Sequence, residues 1–91
     1  MIKMSGEIDI LSCSSTATNL TYSQDTHYVK VENIGNYTAY VDFNGSTATT
    51  QSYPIRSGDI IEVGVRSMSK LSAICNGTET TTLQINSAGE L

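Results

Sequence analysis

Apolar and polar residues alternate with a period of two along most of this chain. That spacing is typical of strands with one buried and one solvated face. No stretch of eleven residues keeps apolar side chains at the spacing of an amphipathic helix. The pattern therefore predicts strands, and the alternating runs are residues 7–10, 18–22, 28–32, 38–43, 59–66, 71–75 and 83–85.

The alternation also predicts which side chains share a face of each strand. Ile8 and Ile10 form the apolar face of the first run. In the third run Val29 and Val31 point inward and Tyr28 points outward. Because successive side chains of a strand point to opposite faces, these assignments hold only if the register is right.

Turn-forming residues separate the runs. Residues 33–36, Asn-Ile-Gly-Asn, predict a hairpin turn between the third and fourth strands, and Asn44-Gly45 predicts a turn after the fourth. Pro54 has no amide proton for a central ladder, so residues 53–55 are predicted to be an edge or the start of a strand. About seven short strands predict an all-β fold, a single small antiparallel β-sandwich of immunoglobulin-like or jelly-roll-like type.

The length of 91 residues predicts one domain over residues 1–91, with residues 1–6 and 86–91 frayed or arm-like. A domain of this size has a small core, so self-association would add to its stability. The role of residues 1–25 stays open, because they could be two strands or an arm that reaches a neighbour.

Charge and hydropathy limit the classes of partner that we expect for this chain. The net charge is −4 and the five basic residues are scattered, which argues against a nucleic-acid partner. No apolar run is long enough to predict a membrane span. The first residues lack the apolar stretch of a signal peptide, so we expect synthesis in a cytoplasm unless a leader has been removed.

Candidate chemistry is sparse, and we expect no enzyme, no cofactor and no metal. His27 is the single histidine, and no paired carboxylates mark a cleft. Residues 42–46 begin like a calcium loop, but the glycine is misplaced and the terminal Glu is missing, so an ordinary Asn-Gly turn is expected. Cys13 and Cys75 are too far apart in sequence for a close zinc-ligand pair.

The two cysteines allow two interpretations. Their separation of about sixty residues is like that of the cysteines that join the two sheets of an immunoglobulin domain, which favours a Cys13–Cys75 bridge. A reducing cytoplasm favours two small buried thiols instead. Without a signal peptide, we expect the thiols.

Tyrosines supply the candidate interface or ligand surface, because exposed Tyr offers contact area at low entropic cost. We expect Tyr28 and Tyr40 to lie beside each other on the outer face, across the predicted hairpin. The alternative is that they cover the second sheet. The whole candidate set is Tyr28, Tyr40, Asp42 and Tyr53.

Residues 29–45 (VKVENIGNYTAYVDFNG) and 53–63 (YPIRSGDIIEV), with a matching end at 71–85, resemble small immunoglobulin-like β-sandwich modules of tailed-phage virion proteins. The resemblance implies a non-enzymatic virion structural protein, either a capsid decoration or cement protein or an accessory head or tail component. It implies localisation in the virion after synthesis in the host cytoplasm. The implied partners are the major capsid protein or another virion protein, and further copies in a homo-oligomer.

Two other functions remain open. A carbohydrate- or receptor-binding module would use Tyr28, Tyr40 and Asp42 on one face. A secreted or pilus-like adhesin domain would carry the Cys13–Cys75 bridge.

Overall fold

The computed structural model describes residues 4–90, with side chains described for residues 8–22, 27–64 and 69–88. Regular structure in this part is entirely β, and it includes no helix that could cross a membrane. The predicted all-β class is confirmed. The six strands are β1 (Met4–Cys13), β2 (Thr18–Asn33), β3 (Ala39–Asp42), β4 (Tyr53–Ile55), β5 (Ile60–Cys75) and β6 (Thr81–Glu90).

The strands are antiparallel and hydrogen-bonded in the order β1-β6-β2-β5-β3-β4. The first layer contains β1, β6, the second half of β2 and the first half of β5. The second layer contains the first half of β2, the second half of β5, β3 and β4. Because the two long strands pass from one layer to the other, the fold is a sandwich of eight strand segments.

Two pairs of predicted strands are each one continuous strand in the structure. Runs 18–22 and 28–32 both belong to β2, and runs 59–66 and 71–75 both belong to β5. The joining segments contain no Gly or Pro to end a strand, and the ladder continues through register shifts between Thr21 and Tyr28. Bulges of this kind bend a strand without ending it, which lets one strand serve both layers.

The hairpin predicted at residues 33–36 is wrong, because β5 lies between β2 and β3 in the sheet. The segment instead crosses from the first layer to the second. Turn residues indicate that the chain changes direction, but they do not indicate which strand becomes the neighbour. The edge position predicted for residues 53–55 is confirmed, since β4 is the last strand of the sheet.

Asn33 holds this crossing in place from a buried position, with 1% of its surface exposed. Its Nδ2 donates to the carbonyl oxygens of Tyr37 (2.7 Å) and Ile55 (2.8 Å). Its Oδ1 accepts from the Gly35 amide (3.0 Å) and the Thr81 hydroxyl (2.7 Å). One side chain thereby connects the crossing to β4 in one layer and β6 in the other.

The buried core lies between the layers, with Val29 and Val31 fully buried as predicted. The first strand differs from its prediction, because Ile8 and Ile10 are 73% and 60% exposed. Leu11 and Cys13 occupy the buried face of β1 instead. Since side chains alternate along a strand, burial of these two places Ile8 and Ile10 outside.

The chain ends differ from their prediction as well. The sequence predicts frayed or arm-like ends, but residues 4–8 of β1 pair with residues 86–90 of β6, from Met4–Glu90 to Ile8–Asn86. Each segment satisfies the backbone groups of the other, and this pairing over more than eighty residues has no local signature. Residues 1–3 and 91 lie outside the described part of the chain.

Candidate interaction surface

The first edge of the sheet presents an apolar face. β1 is hydrogen-bonded to β6 on one side and has no strand on its other side among the described residues. Ile8 and Ile10 are exposed on its outer face and belong to the most exposed large apolar side chains of the described residues. An unpaired edge that also carries apolar side chains is a surface prone to pair with another chain.

The opposite edge is short and lies beside an open groove. β4 has three residues, and Tyr53 at its start is 54% exposed. The groove has a volume of about 580 Å³, and apolar side chains from both layers contribute to its wall. Those side chains are Val41, Phe43, Tyr53, Ile61 and Val63. The two edges of the sheet therefore have different shapes and chemistry.

The structure does not bring the four predicted surface residues together. Tyr28 lies in the first layer, opposite Gly64 and Ala88, whereas Tyr40 lies in the second layer, opposite Pro54 and Ile74. The expected contact between the two tyrosines across a hairpin is therefore wrong, since the hairpin itself does not exist. Asp42 and Tyr53 do share the wall of the groove at the β4 edge.

Two of these side chains, Tyr28 and Asp42, interact with neighbouring groups of the same chain. Loss of hydration raises the pKa of Tyr28, and the neighbouring Glu62 carboxylate raises it further by charge and by hydrogen bonding. Asp42 Oδ1 accepts hydrogen bonds from the amides of Asn44 (2.8 Å) and Ser46 (3.2 Å), and Gly45 has a φ of +86°. The predicted turn is confirmed, and Asp42 is the residue that closes it.

Sequence reasoning missed the exposed face of β1, although a signal for it exists. Ile8 and Ile10 are apolar at even positions, and Leu11 and Cys13 are apolar at odd positions of the same strand. A strand with apolar residues on both faces has more apolar surface than one core can bury. The switch of the apolar residues from even to odd positions within β1 therefore indicates a second contact surface.

Both cysteines are free and buried, as expected, each with 1% of its surface exposed. Cys13 ends β1 in the first layer, and Cys75 ends β5 in the second. Burial, and then the neighbouring Cys75, raise the pKa of Cys13 to about 12. The pKa of Cys75 is also raised, first by burial, with a partly opposing hydrogen bond from the Thr81 amide.

The raised pKa of Cys13 predicts a loss of stability at alkaline pH. The unfolded thiol ionises near pH 9 and the folded one near pH 12, so the stabilisation is complete below pH 9 and is lost between these values. We expect Cys13 to contribute a fall of up to about 1.4 kcal/mol per pH unit to the free energy of unfolding of the reduced protein in this window. Urea titrations at several pH values measure the slope. The same slope in Cys13→Ala would contradict the prediction.

Comparisons with known proteins give structural matches alone. No protein-family model matches the chain, and no curated protein matches it in sequence. One similar structure belongs to the Bacillus endospore appendages, described as a novel family of disulfide-linked pili. Its TM-score is 0.67 at 17% identity, with 99% of this chain and 88% of that chain covered.

A second similar structure is an uncharacterized conserved protein with a double-stranded β-helix domain from Klebsiella pneumoniae. Its TM-score is 0.56 at 11% identity, with 98% of this chain and 70% of that chain covered. At these identities the likeness establishes the fold. The chain is a small all-β domain whose fold is similar to that of a bacterial endospore appendage protein, and the virion role that the phage resemblance implies stays a prediction.

Proposed function

We propose that this chain is a non-enzymatic structural subunit that assembles with further copies of itself through the edges of its sheet. The observation that carries the proposal is the β1 edge, where no strand of the described residues pairs with the outer side of β1 and where Ile8 and Ile10 are exposed. Such contacts would add to the stability of a domain whose own core is small. The likeness to a pilus-forming appendage protein supports the same role.

The two edges of the sheet differ, and this difference affects whether the copies assemble into rings or filaments. β1 is ten residues long and carries exposed isoleucines, whereas β4 is three residues long, contains Pro54 and borders the groove. If β1 of one copy contacts the β4 side of the next, the interface is heterologous. Such contacts give rings when the rotation closes and open filaments when it does not. In either form, many weak contacts between subunits together hold the assembly.

Two settings fit such a subunit. The sequence resemblance, which covers about residues 28–85, favours a virion, where the chain would decorate or cement the capsid and contact the major capsid protein. The fold likeness favours a surface appendage. The carbohydrate-binding alternative has less support, because Tyr28 and Tyr40 lie in different layers and Asp42 closes its own turn.

Charged substitutions on the exposed face of β1 test the assembly. We expect the reduced wild-type chain to form oligomers or filaments at high concentration, and Ile8→Lys/Ile10→Lys to stay monomeric, because the lysines would have to be buried without partners. Light scattering after gel filtration and negative-stain electron microscopy measure the difference.

A matched control separates the β1 surface from the added charge. Asn76 and Thr78 are exposed in the loop between β5 and β6, so Asn76→Lys/Thr78→Lys adds the same charge elsewhere. We expect this control to assemble like the wild type. A wild-type chain that remains monomeric at millimolar concentration, or equal assembly of both variants, would refute the proposal.

Fractionation of the native source distinguishes the two settings. Density-gradient separation with mass spectrometry shows whether the chain migrates with phage particles, with detached cell-surface filaments or with the small soluble proteins. The first result supports the virion and the second the appendage. Recovery only as a small soluble species would count against both.

A further inference from the structure

The two cysteines lie at the same end of the sandwich, where the backbones of β1 and β5 come into contact. The Cys75 amide donates to the Ser14 carbonyl oxygen at 2.7 Å, so the residue after Cys13 touches the backbone of Cys75 directly. Thr81 is the strand partner of Cys13, and its amide donates to the Cys75 sulfur. Both side chains belong to one apolar cluster. Cys13 and Cys75 therefore lie close to each other at this end of the core, although 62 positions separate them in the sequence.

We propose that Cys13 and Cys75 form an intramolecular disulfide when the chain folds in an oxidising environment, and that this bond joins the two layers of the sandwich. β1 is an edge strand of the first layer, and the end of β5 belongs to the second. The bond would anchor the end of the exposed β1 strand to the central strand β5. It concerns one chain alone and does not depend on the assembly proposed above.

The oxidant is a small-molecule disulfide, and the reaction is thiol–disulfide exchange. One cysteine thiolate attacks the oxidant, forms a mixed disulfide and releases the first small thiolate. The second cysteine thiolate attacks the protein sulfur of that mixed disulfide and releases the second small thiolate. The two cysteines lose two electrons to the oxidant, and their two protons leave on the released thiols.

Burial determines when this reaction can occur. The thiolate is the reactive form, and the pKa of both folded thiols is raised, that of Cys13 to about 12. The folded, reduced chain is therefore slow to oxidise at neutral pH. Oxidation is fast while the chain is still folding, before the cysteines are buried. The redox state is set by the compartment in which the chain folds and is then kept.

Refolding in a redox buffer tests the proposal. The chain, unfolded in urea and fully reduced, is diluted into oxidised and reduced glutathione at dilute protein concentration. We expect a monomer lighter by two hydrogen atoms and a single peptide pair that contains Cys13 and Cys75. We also expect the thermal midpoint to rise by roughly 10 °C or more relative to the reduced chain, because a long loop is closed in the unfolded state.

Controls use the same protein and two single variants. The folded, reduced chain in the same buffer should keep both thiols for much longer than the refolding chain. Cys13→Ala and Cys75→Ala should show no rise in thermal midpoint between oxidising and reducing buffer, which separates the bond from other effects of the buffer.

Two results would overturn the proposal. One is recovery of a folded monomer whose two thiols both react with iodoacetamide once it is unfolded again. The other is a covalent dimer or polymer on non-reducing gels in place of the bridged monomer, which would place the disulfides between subunits. Since assembly is measured on reduced protein, failure here leaves the assembly test unaffected.

Discussion

Replacement of Asn33 by alanine is expected to lower the free energy of unfolding by about 3–5 kcal/mol, a large share of the stability of a small domain. The variant leaves two carbonyl oxygens, the Gly35 amide and the Thr81 hydroxyl without the partner that now satisfies them. A buried polar group without a partner costs far more than a hydrogen bond gains on average. Urea unfolding followed by circular dichroism measures the change.

Asn36 provides the matched control for Asn33. It lies in the same crossing segment but is exposed, and its side chain is not part of the Asn33 network. We expect Asn36→Ala to change stability by less than about 0.5 kcal/mol. A loss for Asn33→Ala as small as that expected for Asn36→Ala would mean that the crossing tolerates a missing Asn33 side chain and that its hydrogen bonds add little to stability.

Replacement of Gly35 by alanine is expected to destabilise the protein by about 3 kcal/mol, because the new methyl group has no room. A Cβ at this position would overlap the Thr81 hydroxyl and lie 2.7 Å from the Thr82 amide nitrogen and 2.9 Å from the Thr81 Cα. Two of these three atoms are backbone, so rotation of a side chain cannot relieve the overlap. The crossing would have to move away from β6.

Two further variants sharpen this test. Gly64→Ala is the control, because a Cβ there meets no atom within 4 Å, and we expect unchanged or slightly raised stability. Gly35→Ala combined with Thr81→Ala should recover little, since the backbone atoms remain. Full recovery in the double variant would show that the Thr81 hydroxyl alone excludes a side chain at this position.

The alternation of residues was sufficient to predict the all-β class and much of the buried face. Val29 and Val31 are buried as predicted, and the edge position of residues 53–55 follows from the missing amide proton of proline. These features depend on the period of a strand and on the chemistry of single residues. Both can be read locally, before the neighbours of a strand are known.

The candidate surface could not be predicted from local sequence alone, because it depends on the register of β1 in the sheet. In β1 the sequence offers two apolar sets of opposite parity, Ile8 with Ile10 and Leu11 with Cys13. Only one set can face the core of this domain, and pairing with β6 decides which. The exposed face of β1 therefore became visible as a surface only in the folded chain.

The sequence by itself determined which segments form strand, the turn at Asn44-Gly45 and the absence of helical periodicity, because each depends on residues within one short segment. Tertiary structure decided that β2 and β5 run through both layers, that residues 33–36 cross between layers, and that the chain ends pair. It also brought Cys13 and Cys75 together. The physical reason is that backbone hydrogen bonds are the same for every partner strand, so packing of the whole core selects the partner.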